Sequence, residues 1–232
     1  MSPRRLVLFD IDGTLVDCGG QAKPLFAAAM AEAFGTAGAV DSYDFSGRTD
    51  PRIVFDLAVG AGIEPEAAMA GLPRVREHYL ERLAGTLRPE RMRLLPGIAE
   101  LVAALAASRE VALGLLTGNW ERGARIKLAP FDLNGYFPFG AFGDDQLDRR
   151  DLPPVAWREA SRHTARAFAP EETLIVGDSL LDVSCAHAHG AKVLAVATGW
   201  TSAEDLRAAG ADWVVDDLAG ARDLAAATGG AF

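Results

Sequence analysis

This sequence has little cysteine, no long apolar run and no excess of basic charge. Two of its 232 residues are cysteine, Cys18 and Cys185, too few for a disulfide framework. Both read as small buried side chains rather than nucleophiles. The first apolar run, Leu6-Val7-Leu8-Phe9, stops at Asp10. Behind the basic start Met1-Ser2-Pro3-Arg4-Arg5 it is too short for a signal peptide, and nothing later approaches the ~18 residues of a membrane span. Acidic side chains number 32 against 23 basic ones, a formal net charge of −9, which argues against a protein built to grip a phosphate backbone. We therefore expect a cytoplasmic protein with neither nucleic acid nor a membrane as partner. Histidine is also scarce. His187 and His189, one residue apart on a predicted helix, point to different faces and cannot easily share a metal.

What is present is an ordinary globular composition, half hydrophobic and 24% charged, of a length that fits one large domain or one domain with an insertion. Four short apolar runs end in polar or glycine-rich turns and lead into helical periodicity. They are Leu6–Phe9, Val111–Leu116, Thr173–Val176 and Val193–Ala197. Runs without in/out alternation suit strands buried on both faces, as in a parallel sheet. Helices are expected at Ile98–Ala107, Trp120–Leu128, Val155–Ala167, Leu181–His189, Ser202–Ala209 and Leu218–Ala227, with a last short strand at Trp213–Val215. Alternating strand and helix predicts an α/β fold, a doubly wound, mostly parallel Rossmann-like sheet. Residues 18–93 break that rhythm with helical patterns alone, at Ala22–Phe34, Arg52–Val59 and Glu66–Leu83. Asp50 reads as the N-cap of the second of these, with Pro51 at its first helical position. The division expected is a core of residues 1–17 and 94–232 and an inserted helical domain of residues 18–93.

In open α/β sheets ligands bind beyond the carboxyl ends of the strands. Those ends carry Asp10 and Asp12, Thr117 and Asn119, Asp178 and Asp182. Carboxylates crowded into one cleft repel unless a cation or proton intervenes, and oxygen ligands on a polar turn suit Mg²⁺. Asp10 and Asp178 would bind it, with the backbone carbonyl of Asp12 as a third donor and Asp182 in support. Asp10 could then attack phosphorus in line, giving an aspartyl-phosphate that water later cleaves. Asp12 could protonate the leaving oxygen and afterwards deprotonate the water. Thr117, with the amides of Gly118 and Asn119, would donate to phosphoryl oxygens.

The segments FDIDGTLVD (Phe9–Asp17), LLTGN (Leu115–Asn119) and IVGDSLLD (Ile175–Asp182) resemble the first, second and fourth motifs of the haloacid dehalogenase-like hydrolases, in order and in spacing. The helical insertion falls where that family carries an α-helical cap, as in its phosphoglycolate phosphatase-like branch. The resemblance implies a magnesium-dependent phosphatase acting on a small phosphorylated metabolite, as a monomer or homodimer. Asp12 is absent from the dehalogenase branch, where a halide needs no proton, so its presence favours phosphatases and phosphomutases. The family's third motif is usually a Lys. Here the matching stretch offers Arg149 or Arg150, either of which could pair with Asp10 and phosphate, though Arg differs geometrically from Lys. Arg48, in the insertion, either reaches the substrate or is solvated. Trp120 reads as a packing residue that could also line the pocket. Two rivals stay open: a phosphomutase of the β-phosphoglucomutase type, and a non-catalytic relative that only binds a phosphorylated ligand. Family mutases place a His and a Lys at the cap entrance, where this chain has Gly19, Gly20 and Gln21.

Overall fold

The apolar runs become strands of one sheet. The computed structural model describes residues 3–144 and 146–219; the helix expected over Leu218–Ala227 extends outside the described residues. In chain order, β1 (Arg5–Phe9) and β2 (Val16–Asp17) lead into three helices, α1 (Ala22–Phe34), α2 (Asp50–Gly60) and α3 (Pro65–Thr86). The remaining elements are β3 (Arg93–Leu94), α4 (Ile98–Ala107), β4 (Val111–Leu116), α5 (Glu121–Leu128), β5 (Gly140–Ala141), α6 (Leu152–Thr164), β6 (Thr173–Gly177), α7 (Leu180–His187), β7 (Lys192–Val196), α8 (Ala203–Ala208) and β8 (Trp213–Val215). The main sheet has the order β5-β4-β1-β6-β7-β8, and every pairing in it is parallel. A parallel sheet must be covered on both faces, and β1 shows how. Val7 and Phe9 enter one apolar cluster with α4 and α5. Leu6 and Leu8 enter the other, with α6 and α7.

The strand order reverses at β1, which lies between β4 and β6. The register sets Phe9 opposite both Leu115 and Val176, so the residues following these three strands meet at one edge. The chain leaves for the helical insertion through β2 and returns through β3, paired antiparallel with Asp17 opposite Arg93. Helices α1, α2 and α3 bury their own apolar cluster, which includes Phe26, Met30, Leu57, Tyr79 and Leu83.

Three local features differ from expectation. The N-cap of α2 is Thr49, whose hydroxyl accepts from the Arg52 amide at 3.3 Å. Asp50 is already helical, and its carboxylate is used elsewhere. Helix α6 starts at Leu152, ahead of Val155, because Pro153 sits in the first turn, where its missing N–H removes no helical bond. The edge strand β5 is two residues long, too short to leave a pattern.

Candidate active site

Strand ends and glycines together build the cleft. Asp10 follows β1, and its amide donates to the Val176 carbonyl at 2.9 Å, which ties it to β6. Asp178 follows β6 and accepts from the Thr14 hydroxyl at 2.9 Å. Gly13 has a φ of 82°, and a Cβ there or at Gly199 would collide with the Asp178 carboxylate; only glycine permits that approach and, at Gly13, that backbone. Asp182 belongs to a capping box on α7. Its Oδ2 accepts from the Ser179 amide at 3.0 Å and from the Ser179 hydroxyl at 2.6 Å. One carboxylate oxygen from each of Asp10, Asp178 and Asp182 lies within 4.8 Å of the others, all three residues being buried.

Arg149 answers this cluster. Its guanidinium meets Asp10 Oδ2 at 3.2 Å and Asp182 Oδ1 at 2.5 Å, with the side chain 2% exposed. It also donates to the carbonyls of Gly47 and Leu116. Of the two arginines expected as third-motif candidates, Arg149 is the one brought to Asp10. Arg150 is corrected to a surface residue, 61% exposed and paired with Asp148. The register separates them: Arg149 faces α7 from a short 3₁₀ turn, and one residue further the side chain points outward.

Three carboxylates against one guanidinium leave this pocket short of positive charge. Burial raises the Asp10 carboxyl to about 6, with Asp182 adding to the rise and Arg149 and the Thr117 hydroxyl opposing it. Burial, then Asp182 and Asp10, push Asp178 well above the ordinary carboxylate range. Hard oxygen donors with two uncompensated negative charges fit a divalent cation such as Mg²⁺. Asp10 and Asp178 have oxygens available for it, whereas both Asp182 oxygens are taken by Arg149 and Ser179.

The other side of the cleft is arranged differently. Asp12 lies outside the three-carboxylate cluster, and its side chain is 41% exposed. Its Oδ2 accepts from Asn119 Nδ2 at 2.9 Å and from Lys127 Nζ at 2.6 Å. Desolvation acts upward on Asp12, but Lys127 and Asn119 outweigh it and hold the carboxyl below its ordinary value. Asn119 also donates to the Thr117 hydroxyl at 2.8 Å and accepts from Lys127 at 2.6 Å. Lys127 was missed by the sequence reading. The available signal was a lysine in the stripe that α5 buries, with Gly123, Ala124 and Leu128.

The insertion closes over this edge through its loop 47–50. Thr49 Oγ1 donates to the Leu147 carbonyl at 3.0 Å, the Asp50 amide to the Gly118 carbonyl at 2.8 Å, and the Trp120 amide to Asp50 Oδ2 at 2.8 Å. A Cβ on Gly118 would strike the Arg48 and Thr49 backbone, so glycine here allows main chain to lie against main chain. Burial raises the Asp50 carboxyl to about 7, against the pull of Lys127 and the Trp120 amide. Trp120 packs into the insertion's apolar cluster, stacked on Phe26 with ring centroids 6.1 Å apart. It also borders a cavity of about 700 Å³ between α3 and the core. Arg48 turns away from the carboxylates: its Nε donates to the Asp44 carbonyl at 2.9 Å and its guanidinium lies 5.3 Å from the Tyr43 ring centroid. Arg48, expected either to reach the substrate or to be solvated, is held here by residues of the insertion itself.

Comparison with known proteins agrees with this geometry. Residues 7–187 match the family model for haloacid dehalogenase-like hydrolases. Phosphoglycolate phosphatase 1 of Pseudomonas aeruginosa is 30% identical over 228 residues, covering 95% of this chain and 78% of that protein. Among solved structures, a predicted phosphatase from Clostridium acetobutylicum superposes with a TM-score of 0.69 at 21% identity, over 94% of this chain and 95% of its own. A β-phosphoglucomutase from Clostridium difficile gives 0.65 at 14% identity, over 93% and 92%. The two structures share the fold. Among the described residues no helix is long and apolar enough to cross a membrane. With a match spanning most of the chain, and with the motif residues of three strands meeting at one sheet edge, the protein belongs to the haloacid dehalogenase-like hydrolase family.

Proposed function

We propose that this hydrolase is a magnesium-dependent phosphatase that removes phosphate from a small phosphorylated metabolite through an intermediate on Asp10. The observation that carries the reading is the meeting of Asp10, Asp178 and Asp182 within 4.8 Å, with Arg149 paired to Asp10. Asp10 and Asp178, with the main-chain carbonyl of Asp12, would hold the metal, and Asp182 would orient Arg149 behind them. When bound, Mg²⁺ would offset the surplus negative charge and let an anionic phosphate enter an acidic pocket.

Asp10 is the nucleophile in this reading, and Arg149 keeps it ionised and directed. Asp12 gives a proton to the leaving oxygen and later takes one from water. Thr117 with the amides of Gly118 and Asn119 receives the phosphoryl oxygens. The helical insertion is the cap, which excludes water and selects the leaving group. The similarity to a phosphoglycolate phosphatase makes short phosphorylated hydroxy acids the first substrates to try. Nothing at the cap entrance favours the mutase reading, since the Gln21 side chain is spent on the main chain of Cys18 and Arg88.

The test is a phosphate-release screen over phosphoglycolate, sugar phosphates and nucleoside monophosphates, with Mg²⁺ and with EDTA. Asp10→Asn is the inactive control. Release that needs Mg²⁺ and Asp10 supports the reading. An isomerised sugar phosphate without free phosphate would replace it with the mutase.

A further inference from the structure

Lys127 has no part in the chemistry described so far, yet its placement is demanding. The residue is 4% exposed, and burying an ammonium is costly unless it is paired. Burial acts to lower its proton affinity. The Asp12 carboxylate outweighs that and holds its proton affinity well above the ordinary lysine value. Its two short hydrogen bonds go to Asp12 Oδ2 and to Asn119 Oδ1, both at 2.6 Å. The Asn119 amide has one orientation that satisfies its neighbours, oxygen toward the ammonium and nitrogen toward Asp12 Oδ2 and Thr117. Lys127 therefore fixes Asp12 twice, directly and through Asn119.

The two oxygens of Asp12 differ as a result. Oδ2 carries both strong contacts. Among the described residues Oδ1 has only the Cys18 thiol, at 3.7 Å, a weak donor. Of Asp10, Asp12, Asp178 and Asp182, Asp12 alone has a substantially exposed side chain, so this uncommitted oxygen is the one that can serve an incoming group.

We infer that Lys127 is a positioning residue of the phosphatase reaction: it pins Oδ2 of Asp12 so that Oδ1 exchanges the proton with the leaving group. The inference rests on the phosphatase reading above. In the first step an Asp10 oxygen bonds to phosphorus, and the bond from phosphorus to the ester oxygen breaks with its electron pair on that oxygen. Asp12 Oδ1 takes up the proton that a monoprotonated phosphate ester brings in and passes it to that oxygen, and the alcohol leaves. In the second step water attacks phosphorus, one of its protons passes to Asp12 Oδ1, and the bond to Asp10 breaks; that proton then departs with the phosphate, leaving both carboxylates as they began.

A residue that acts through proton delivery matters only when the leaving group needs a proton. The experiment compares wild type with Lys127→Met and Lys127→Gln, enzyme in excess, following release of the leaving group in one turnover. One substrate is the alkyl phosphate released fastest in the screen. The other is 2,4-dinitrophenyl phosphate, whose phenolate departs without protonation. Both variants should lose about 100-fold on the alkyl ester and less than about threefold on the aryl ester. Thermal unfolding identifies any variant that does not fold, and the other then carries the comparison. Equal losses on both esters would mean a structural role and overturn the inference, as would an unchanged alkyl rate. Wild type that releases neither leaving group would overturn the phosphatase reading itself, and the role of Lys127 with it.

Discussion

Two buried cations flank the loop after β1, and they face opposite electrostatic situations. Arg149 meets Asp10 and Asp182, with Asp178 in the same cluster. Lys127 meets the single carboxylate of Asp12 together with the neutral amide of Asn119. The Arg149 side is left short of positive charge, and the carboxyls of Asp10 and Asp178 are pushed up. The Lys127 side is balanced, and Asp12 is held down. Asp10 and Asp12 are two residues apart, so chain position does not set the difference. What sets it is which helix delivers a cation and how many acids share it. A pocket in deficit can take a metal and a phosphate; a balanced pair can hold a side chain still.

The largest effect should come from Asp10→Asn. Turnover should fall by more than about 10⁴-fold, as when a nucleophile is removed, while thermal unfolding still shows a folded protein. Arg149→Met tests the cation on the same side. It leaves buried carboxylates without their partner, so urea unfolding should show a loss of about 3–5 kcal/mol. A loss below about 1 kcal/mol would mean that the acids on this side do not depend on it.

Asp50 sharpens the contrast from the Lys127 side. Its folded value of about 7 lies above that of an unfolded aspartate. The stability tied to its protonated form is therefore complete below about pH 4 and is lost as the pH rises through 7. Asp50→Asn keeps an acceptor for the Trp120 amide and removes the titration. Between pH 4 and pH 8 the wild type should lose on the order of 3 kcal/mol more than this variant, as read by urea unfolding at both values. Parallel curves would show that Asp50 is ionised at no cost.

Mg²⁺ should stabilise the wild type by about 2.7 kcal/mol at a hundredfold excess over its Kd, and Asp178→Asn should lose most of that gain. An equal gain in Asp178→Asn would move the metal away from the Arg149 side. The smallest effect should be that of Arg150→Ala. Its exposed pair with Asp148 should contribute less than about 0.5 kcal/mol, with turnover unchanged.

Much of the scaffold was legible because its signals are local. The strands Val111–Leu116 and Trp213–Val215 and the helices Ala22–Phe34 and Ile98–Ala107 follow directly from apolar runs and helical spacing. Asp10, Thr117 and Asp178 could be assigned to one edge because each ends an apolar run, and a parallel sheet aligns such ends. The cap of α2 was read one residue late. Asp50 and Thr49 both suit that position, and the choice fell to Thr49 because the Asp50 carboxylate is claimed by Trp120 across the cleft.

By itself, the sequence determined the order of strands and helices, the inserted helical unit and the acidic residues at the strand ends, since periodicity and turn chemistry act between near neighbours in the chain. Tertiary structure alone decided that Arg149 rather than Arg150 meets Asp10, that Arg48 turns to Tyr43, and that Lys127 reaches Asp12 from 115 residues away. Long charged side chains can extend in several directions. Where one ends depends on which buried partner can offset its desolvation, and that partner exists only once distant segments have packed.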